Sequence, residues 1–132
     1  VRALVAELQM LPDRFWFTGP VPDEDLAAFY RWADVYVSLS EHEGFCVPLV
    51  EAMASDVPVL AYAAGAVPET LGGAGVLFSP KDLEFAAETI GALVYDRPVR
   101  EGVIEGQRRR LADFSPGRIE RQLMDVVAGF SR

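Results

Sequence analysis

The sequence predicts an α/β fold, a parallel sheet flanked by helices, and three observations predict it. Apolar runs of four or five residues alternate with longer stretches of helical period, the pattern of strands and helices layered around one sheet. One of these runs, Val35-Tyr36-Val37-Ser38-Leu39, is nearly all apolar, as a strand covered on both faces by helices must be. A strand–loop–helix–strand unit then runs from Val35 to Tyr62, and right-handed crossover makes its two strands parallel.

Taken in order, Val1 to Met10 read as the end of a helix that precedes a first strand, Phe15-Trp16-Phe17-Thr18, closed by the turn Gly19-Pro20. Pro22-Asp23-Glu24 opens a helix, with proline and acids suited to its first turn, and directs Leu26, Phe29 and Tyr30 inward. After the strand at Val35 comes a loop, then a helix over residues 48–55 and the strand Pro58-Val59-Leu60-Ala61-Tyr62. The small-residue loop Ala63-Ala64-Gly65-Ala66 leads to a helical turn at Pro68-Glu69-Thr70-Leu71. Gly72, Gly73 and Gly75 keep the next junction tight before a short strand, Gly75-Val76-Leu77-Phe78. A helix over residues 82–95 aligns Leu83, Ala86, Ala87, Ile90, Leu93 and Val94 on one stripe. A weaker helix covers residues 98–111. Ser115-Pro116 is an N-cap followed by proline at the first helical position, opening a last helix that turns Ile119, Leu123, Val126 and Val127 inward. Neither a repeat nor a linker interrupts the chain.

With 132 residues the chain is of single-domain size, and eight Phe and two Trp among a half-hydrophobic composition call for a packed interior rather than disorder. A net charge of −8 excludes a surface built to track nucleic-acid phosphates or anionic lipid, both of which need a basic excess. Cys46 is the single cysteine, so no internal disulfide and no cysteine-rich metal site is available, as suits a reducing cytoplasm. Nothing approaches the roughly 18 apolar residues of a membrane span, and Val1-Arg2-Ala3-Leu4 lacks the layout of a secretion signal. Opening inside a helical pattern, the chain is expected to be a piece of a longer protein.

In open α/β sheets ligands bind beyond the carboxyl ends of the strands, which singles out the loop after Leu39. It reads Glu41-His42-Glu43-Gly44-Phe45-Cys46-Val47-Pro48-Leu49-Val50-Glu51. Gly44 lets the backbone approach a ligand, and the amides of Gly44, Phe45 and Cys46 at a helix N-terminus favour a phosphate. That is a small diphosphate cradle. No cationic side chain lies in the loop, so positive charge must come from amides, the helix dipole and residues elsewhere.

Two glutamates with seven residues between them, separated by Gly-Phe-Cys and Pro, resemble the signature of the group 1 (family four) retaining glycosyltransferases. The resemblance extends to Phe17-Thr18-Gly19-Pro20-Val21-Pro22-Asp23-Glu24-Asp25-Leu26, to Tyr30-Arg31-Trp32-Ala33-Asp34-Val35-Tyr36-Val37, to Glu51-Ala52-Met53-Ala54 and to Gly65-Ala66-Val67-Pro68-Glu69. Nearly the whole chain is similar to the C-terminal, nucleotide-sugar-binding domain of that family. The resemblance implies a Rossmann-like domain of the GT-B fold, with Glu43 on the donor sugar hydroxyls and Glu51 on the ribose hydroxyls. Amides from Gly44 to Val47 then hold the diphosphate, with His42, Phe45, Cys46 and Glu69 beside the donor. Carboxylates are strong bidentate acceptors for neighbouring hydroxyls, and a departing nucleoside diphosphate needs its growing charge stabilised, so the chemistry agrees. Glu43 is the catalytic residue in the sense of positioning the sugar, not as a nucleophile. The implied transfer keeps to one face of the sugar, is assisted by the leaving diphosphate, and needs neither cofactor nor metal.

Bland readings stand beside these. Without the pattern around them, Glu43 and Glu51 are solvated acids near a helix N-terminus. A glycosidase also uses two carboxylates, but at about 5–9.5 Å; eight helical residues span roughly 12 Å, which suits two ends of an elongated donor better than one bond. A lone loop histidine such as His42 is more often a surface residue. Cys46 stands where the family more often has glycine and reads as a small buried residue. Asp56 replaces a glycine common after the motif helix, and Asp tolerates a left-handed helix end. Glu69 is equally a helix-start acid. Arg108-Arg109-Arg110 point in different directions from a helix and read as a solvated face.

What the resemblance implies about organisation is that residues 1–132 are most of a C-terminal domain. Its first strand or strands, with an Arg and a Lys for the diphosphate, and the whole N-terminal acceptor domain lie outside this stretch. Transfer of a hexose from a UDP- or GDP-linked donor to a growing glycan or glycolipid is then expected of the parent enzyme, and inactivity of the isolated chain. The expected setting is surface polysaccharide biosynthesis in the cytoplasm, with peripheral membrane association through the missing domain. The rival reading is a stand-alone, non-catalytic module that binds nucleotide sugar or a partner.

Overall fold

The computed structural model describes residues 14–130. Its elements are α1 (Asp23–Trp32), β1 (Tyr36–Ser38), α2 (Val47–Ala54), β2 (Val59–Tyr62), α3 (Val67–Leu71), β3 (Val76–Phe78), α4 (Leu83–Tyr95) and α5 (Arg97–Leu111). A 3₁₀ turn (Ala112–Phe114) and α6 (Pro116–Phe130) complete them. The expected helix end over Val1 to Met10 lies outside the described residues.

The three strands form one parallel sheet in the order β1-β2-β3, with Tyr36 opposite Val59 and Leu60 opposite Val76. Strand β2 is central, and its alternation divides the core. Val59 and Ala61 face a cluster with Tyr30, Leu49, Ala52, Met53, Val67 and Leu71, from α1, α2 and α3. Leu60 faces the other side, against Phe78 and, from α4, Ala86 and Leu93. With one such set on each side, Val59, Leu60 and Ala61 are buried and only Tyr62 at the carboxyl end is half-buried, as suits a parallel central strand.

Local chemistry explains the helix boundaries. Asp82 caps α4, its Oδ1 accepting the amides of Glu84 and Phe85 at 3.0 Å each. Asp96 does the same for α5, accepting the Val99 amide at 3.1 Å one residue before a first turn that holds Pro98. At the end of α2, Asp56 has φ +56°, the left-handed conformation expected there. Arg108 grips its carboxylate with two bonds of 2.7 Å and holds its pKa below the usual carboxylate range, through the hydrogen bond first.

Helix α5, read as a weaker packing element, also ties itself to the entry of β2. Gln107 is fully buried; its Oε1 accepts the Val59 amide and its Nε2 donates to the Val57 carbonyl, both at 2.8 Å. The three arginines do diverge: Arg108 and Arg109 lie on a solvated face, paired with Asp56 and with Glu105. Arg110 reaches α3, donating to the carbonyls of Glu69 and Thr70 at that short helix's open end, and pairs with Asp113.

Several expectations are corrected. Phe15-Trp16-Phe17-Thr18 is not a strand: among the described residues the sheet begins at β1, and an apolar run without a neighbouring ladder has no reason to be one. Phe29 turns outward with Trp32, leaving Tyr30 as the buried residue of α1 and Leu26 half-buried. Val37 and Leu39 are more than one-third exposed, so β1 is covered less completely than its composition implied. On α4 the stripe narrows to Ala86 and Leu93 with Ile90 and Val94 at its margin, while Leu83 and Ala87 face out. Ile119, Leu123, Val126 and Val127 of α6 are 48–60% exposed rather than inward. Helical period identifies an apolar face but not the surface that covers it.

Candidate functional site

The loop between β1 and α2 leaves the carboxyl edge of the sheet, where the sequence placed the site. Three neighbours hold it. The hydroxyl of Thr70, buried on α3, donates to the Phe45 carbonyl at 2.7 Å. The Ala66 amide donates to the Glu43 carbonyl at 3.2 Å. Lys81, from the β3–α4 connection, donates to the Leu39 carbonyl at 2.8 Å and pairs with Glu41 at 2.9 Å while lying over the Tyr62 ring. The cation absent from the loop's own sequence thus enters from 40 residues downstream, though committed to Glu41.

Gly65 sets how closely the two loops approach. Its φ is +54°, and a β-carbon there would sit 2.1 Å from the Glu43 carbonyl oxygen, so only glycine allows this contact. Gly44 differs: its φ lies outside the left-handed range and nothing comes within 4 Å of where its β-carbon would be. The room it leaves is on the open side of the loop.

Cys46 is the N-cap of α2, with φ +56° and no side-chain cap. A left-handed backbone at this position gives a physical reason for glycine to be common there, and it is costly for cysteine. Its thiol is buried and pushed up in pKa, by desolvation first and then by the charge of Glu43 and a hydrogen bond to it. At neutral pH it is therefore an inert, neutral donor to Glu43 rather than a nucleophile.

Glu51, on the second turn of α2, accepts the Tyr30 hydroxyl at Oε2, 3.0 Å away. Beside Tyr30 packs Tyr36, ring centroids 6.2 Å apart. Its pKa is pushed up to about 12 by burial, then by the charges of Cys46, Glu43 and Glu51. Both motif glutamates are half-buried. Beside Glu51 opens a cleft of about 450 Å³ between α1 and α2, walled by Asp23, Leu26, Tyr30 and Ser55.

The remaining expected site residues are more peripheral. His42 is exposed, its carbonyl accepting the Ser40 hydroxyl. Phe45 is half exposed and meets Phe114 edge-on at 5.6 Å; Val47 is similarly exposed on the first turn of α2. Glu69 is exposed on α3, next to Thr70. Tyr30, Tyr36, Thr70 and Lys81 were not read as site residues, since a tyrosine in an apolar stripe carries no signal distinct from packing.

The arrangement offers two acceptor carboxylates on either side of an uncapped helix N-terminus, a combination suited to a polyhydroxylated anionic ligand. Comparison with known proteins gives the family. Residues 3–110 match the family described as glycosyl transferases group 1. The chain belongs to the group 1 glycosyltransferases. Within this family it is 37% identical over 103 residues to a sulfoquinovosyl transferase of Arabidopsis thaliana, which covers 74% of this chain and 20% of that protein. With the MMP alpha-(1->4)-mannosyltransferase of Mycolicibacterium hassiacum it shares 38% identity over 116 residues, 85% of this chain and 28% of that one. A sucrose-phosphate synthase from Thermosynechococcus elongatus superposes with a TM-score of 0.77 at 31% identity, covering 98% of this chain and 33% of the other. The chain thus spans a fifth to a third of the length of these glycosyltransferase relatives, and its fold is of GT-B type.

Proposed function

We propose that this chain is the donor-binding part of a C-terminal domain in a retaining glycosyltransferase, holding a UDP- or GDP-linked hexose for transfer to a glycan or glycolipid acceptor. The observation that carries the reading is Glu51 on the wall of an open cleft, held by the Tyr30 hydroxyl at 3.0 Å, with Glu43 just ahead of the same helix in the loop that leaves the carboxyl edge of the sheet. On this reading Glu51 accepts the ribose hydroxyls from the cleft wall and Glu43 accepts hydroxyls of the donor sugar. The amides of residues 44–47 and the α2 dipole meet the diphosphate, and His42, Phe45 and Glu69 border the donor.

Transfer then proceeds on one face of the sugar. The bond from the anomeric carbon to the diphosphate oxygen breaks as the acceptor oxygen approaches, and the acceptor's proton passes to the departing diphosphate. Glu43 contributes by fixing the sugar's orientation. Among the described residues, carboxylates, amides and the helix dipole are the groups given to the step, and no step is routed through a metal. An acceptor domain and further cations come from outside this stretch, so the isolated chain binds donor without transferring it. The mannosyl and sulfoquinovosyl transfers named for the relatives support a hexose donor. We place the enzyme in the cytoplasm, with peripheral membrane association through its acceptor domain.

Amide NMR of the chain titrated with UDP, GDP and their sugar conjugates tests this. Shifts confined to residues 40–55, lost in Glu51→Ala and weakened for the sugar conjugate alone in Glu43→Gln, are the expected result. A folded spectrum that no nucleotide moves would overturn donor binding by this chain.

A further inference from the structure

We propose that Tyr30 is a positioning residue for the nucleoside half of the site, its hydroxyl orienting the Glu51 carboxylate so that it can grip a ribose diol. The inference rests on the reading of Glu51 as the ribose acceptor. Tyr30 is the buried residue of α1, and its donation to Glu51 Oε2 at 3.0 Å is the hydrogen bond to that carboxylate among the described residues. The Pro48 carbonyl lies 3.4 Å from the same hydroxyl, and Tyr36 packs along the ring, so the phenol is fixed from three directions.

The geometry matters because a glutamate's terminal torsion is broad. Free in a cleft, the carboxylate plane samples many orientations, and few of them present both oxygens to adjacent hydroxyls. A carboxylate has about four lone-pair sites. The phenol takes one of them, which fixes the plane and leaves Oε1 and the second lone pair of Oε2 for two ligand hydroxyls. Tyr30 keeps its proton throughout the physiological range, since burial first, and then the bond and charge of Glu51, push its pKa above the ordinary tyrosine value. It is a permanent donor, and both Tyr30 and Glu51 wall the same cleft.

The test compares Tyr30→Phe with the wild-type chain, using whichever of UDP and GDP the wild type binds and its analogue lacking both ribose hydroxyls. Phenylalanine keeps the ring packing and removes only the donor. The expected result is a loss of about three- to tenfold in affinity for the ribonucleotide, the worth of one positioning hydrogen bond. Affinity for the dideoxy analogue should be unchanged, so that the wild type's preference for ribose shrinks. Equal losses for both ligands, or an undiminished ribose preference, would overturn the role given to Tyr30 while leaving that of Glu51 intact. A wild type that binds both ligands equally, or neither, overturns the reading of Glu51 and this inference with it. Should the variant fail to fold, fluorotyrosine labelling of the wild type replaces it. The Tyr30 resonance should then shift with the ribonucleotide and not with the analogue, and equal shifts with both would refute the proposal.

Discussion

Replacing Gly65 with alanine asks whether the β2–α3 loop holds the backbone of Glu43. A β-carbon at Gly65 would lie 2.1 Å from the Glu43 carbonyl oxygen and 3.1 Å from its carbon. To reach a tolerable contact that carbonyl must retreat by roughly 1 Å. The same oxygen accepts the Ala66 amide at 3.2 Å, so the retreat also weakens a bond worth about 1 kcal/mol. A side chain at φ +54° adds about 1–2 kcal/mol of backbone strain, and crowding against the main chain about 1–3 more. The stiffer unfolded chain returns less than about 1 kcal/mol. We expect Gly65→Ala to lose about 3–4 kcal/mol, a large fraction of the roughly 5–15 a domain possesses, and to melt about 10–15 °C lower. Circular dichroism melts read the stability, and amide spectra read displacement of residues 43–46. Gly44→Ala is the control. It has open space and ordinary backbone, so it should melt with the wild type, yet bind nucleotide more weakly if a ligand fills that space. A Gly65→Ala chain melting within a few degrees of wild type, with its Glu43 and Ala66 amides unmoved, would refute the argument.

Three more outcomes are expected. Gln107→Leu leaves the buried Val59 amide and Val57 carbonyl without their partners and should cost about 2–4 kcal/mol in denaturant unfolding; a loss under about 1 kcal/mol would show that α5 does not fasten the sheet this way. Tyr30 and Tyr36 have folded pKa values raised above their unfolded ones, so stability is fully present below the ordinary tyrosine pKa. It should fall as pH rises from about 10 through the folded value of about 12 for Tyr36, as the unfolded chain gives up protons that the native one keeps. Denaturant melts across that range, with tyrosinate absorbance, check the sign. Alkylation of Cys46 should be much slower than that of a free cysteine at about pH 8, and Glu43→Gln should speed it by removing the negative charge that raises the thiol's pKa. A rate indifferent to Glu43 would deny the contact.

Much of the fold was legible in advance because its signals are local. Proline and acids at the start of α1, the apolar run of β2 and the helical periods of α4 and α5 each act within a few turns or a strand length. The left-handed end at Asp56 was legible for the same reason. Phe15-Trp16-Phe17-Thr18 and the apolar face of α6 mark where local signals stop deciding structure. A strand exists only by pairing and a face is interior only when covered, and neither condition is written in the segment itself.

The candidate site divides along the same line. By itself the sequence determined the family and marked two glutamates, the glycine between them and the helix N-terminus that follows as the candidate site, because these sit within nine consecutive residues. Only the tertiary structure decided what holds them. Tyr30 meets Glu51 across 21 residues, Thr70 meets the Phe45 carbonyl across 25, and Lys81 meets Glu41 across 40. Each of these contacts arises because packing on the sheet brings distant segments together, and the distance between side chains on different elements follows from that packing rather than from any pattern along the chain.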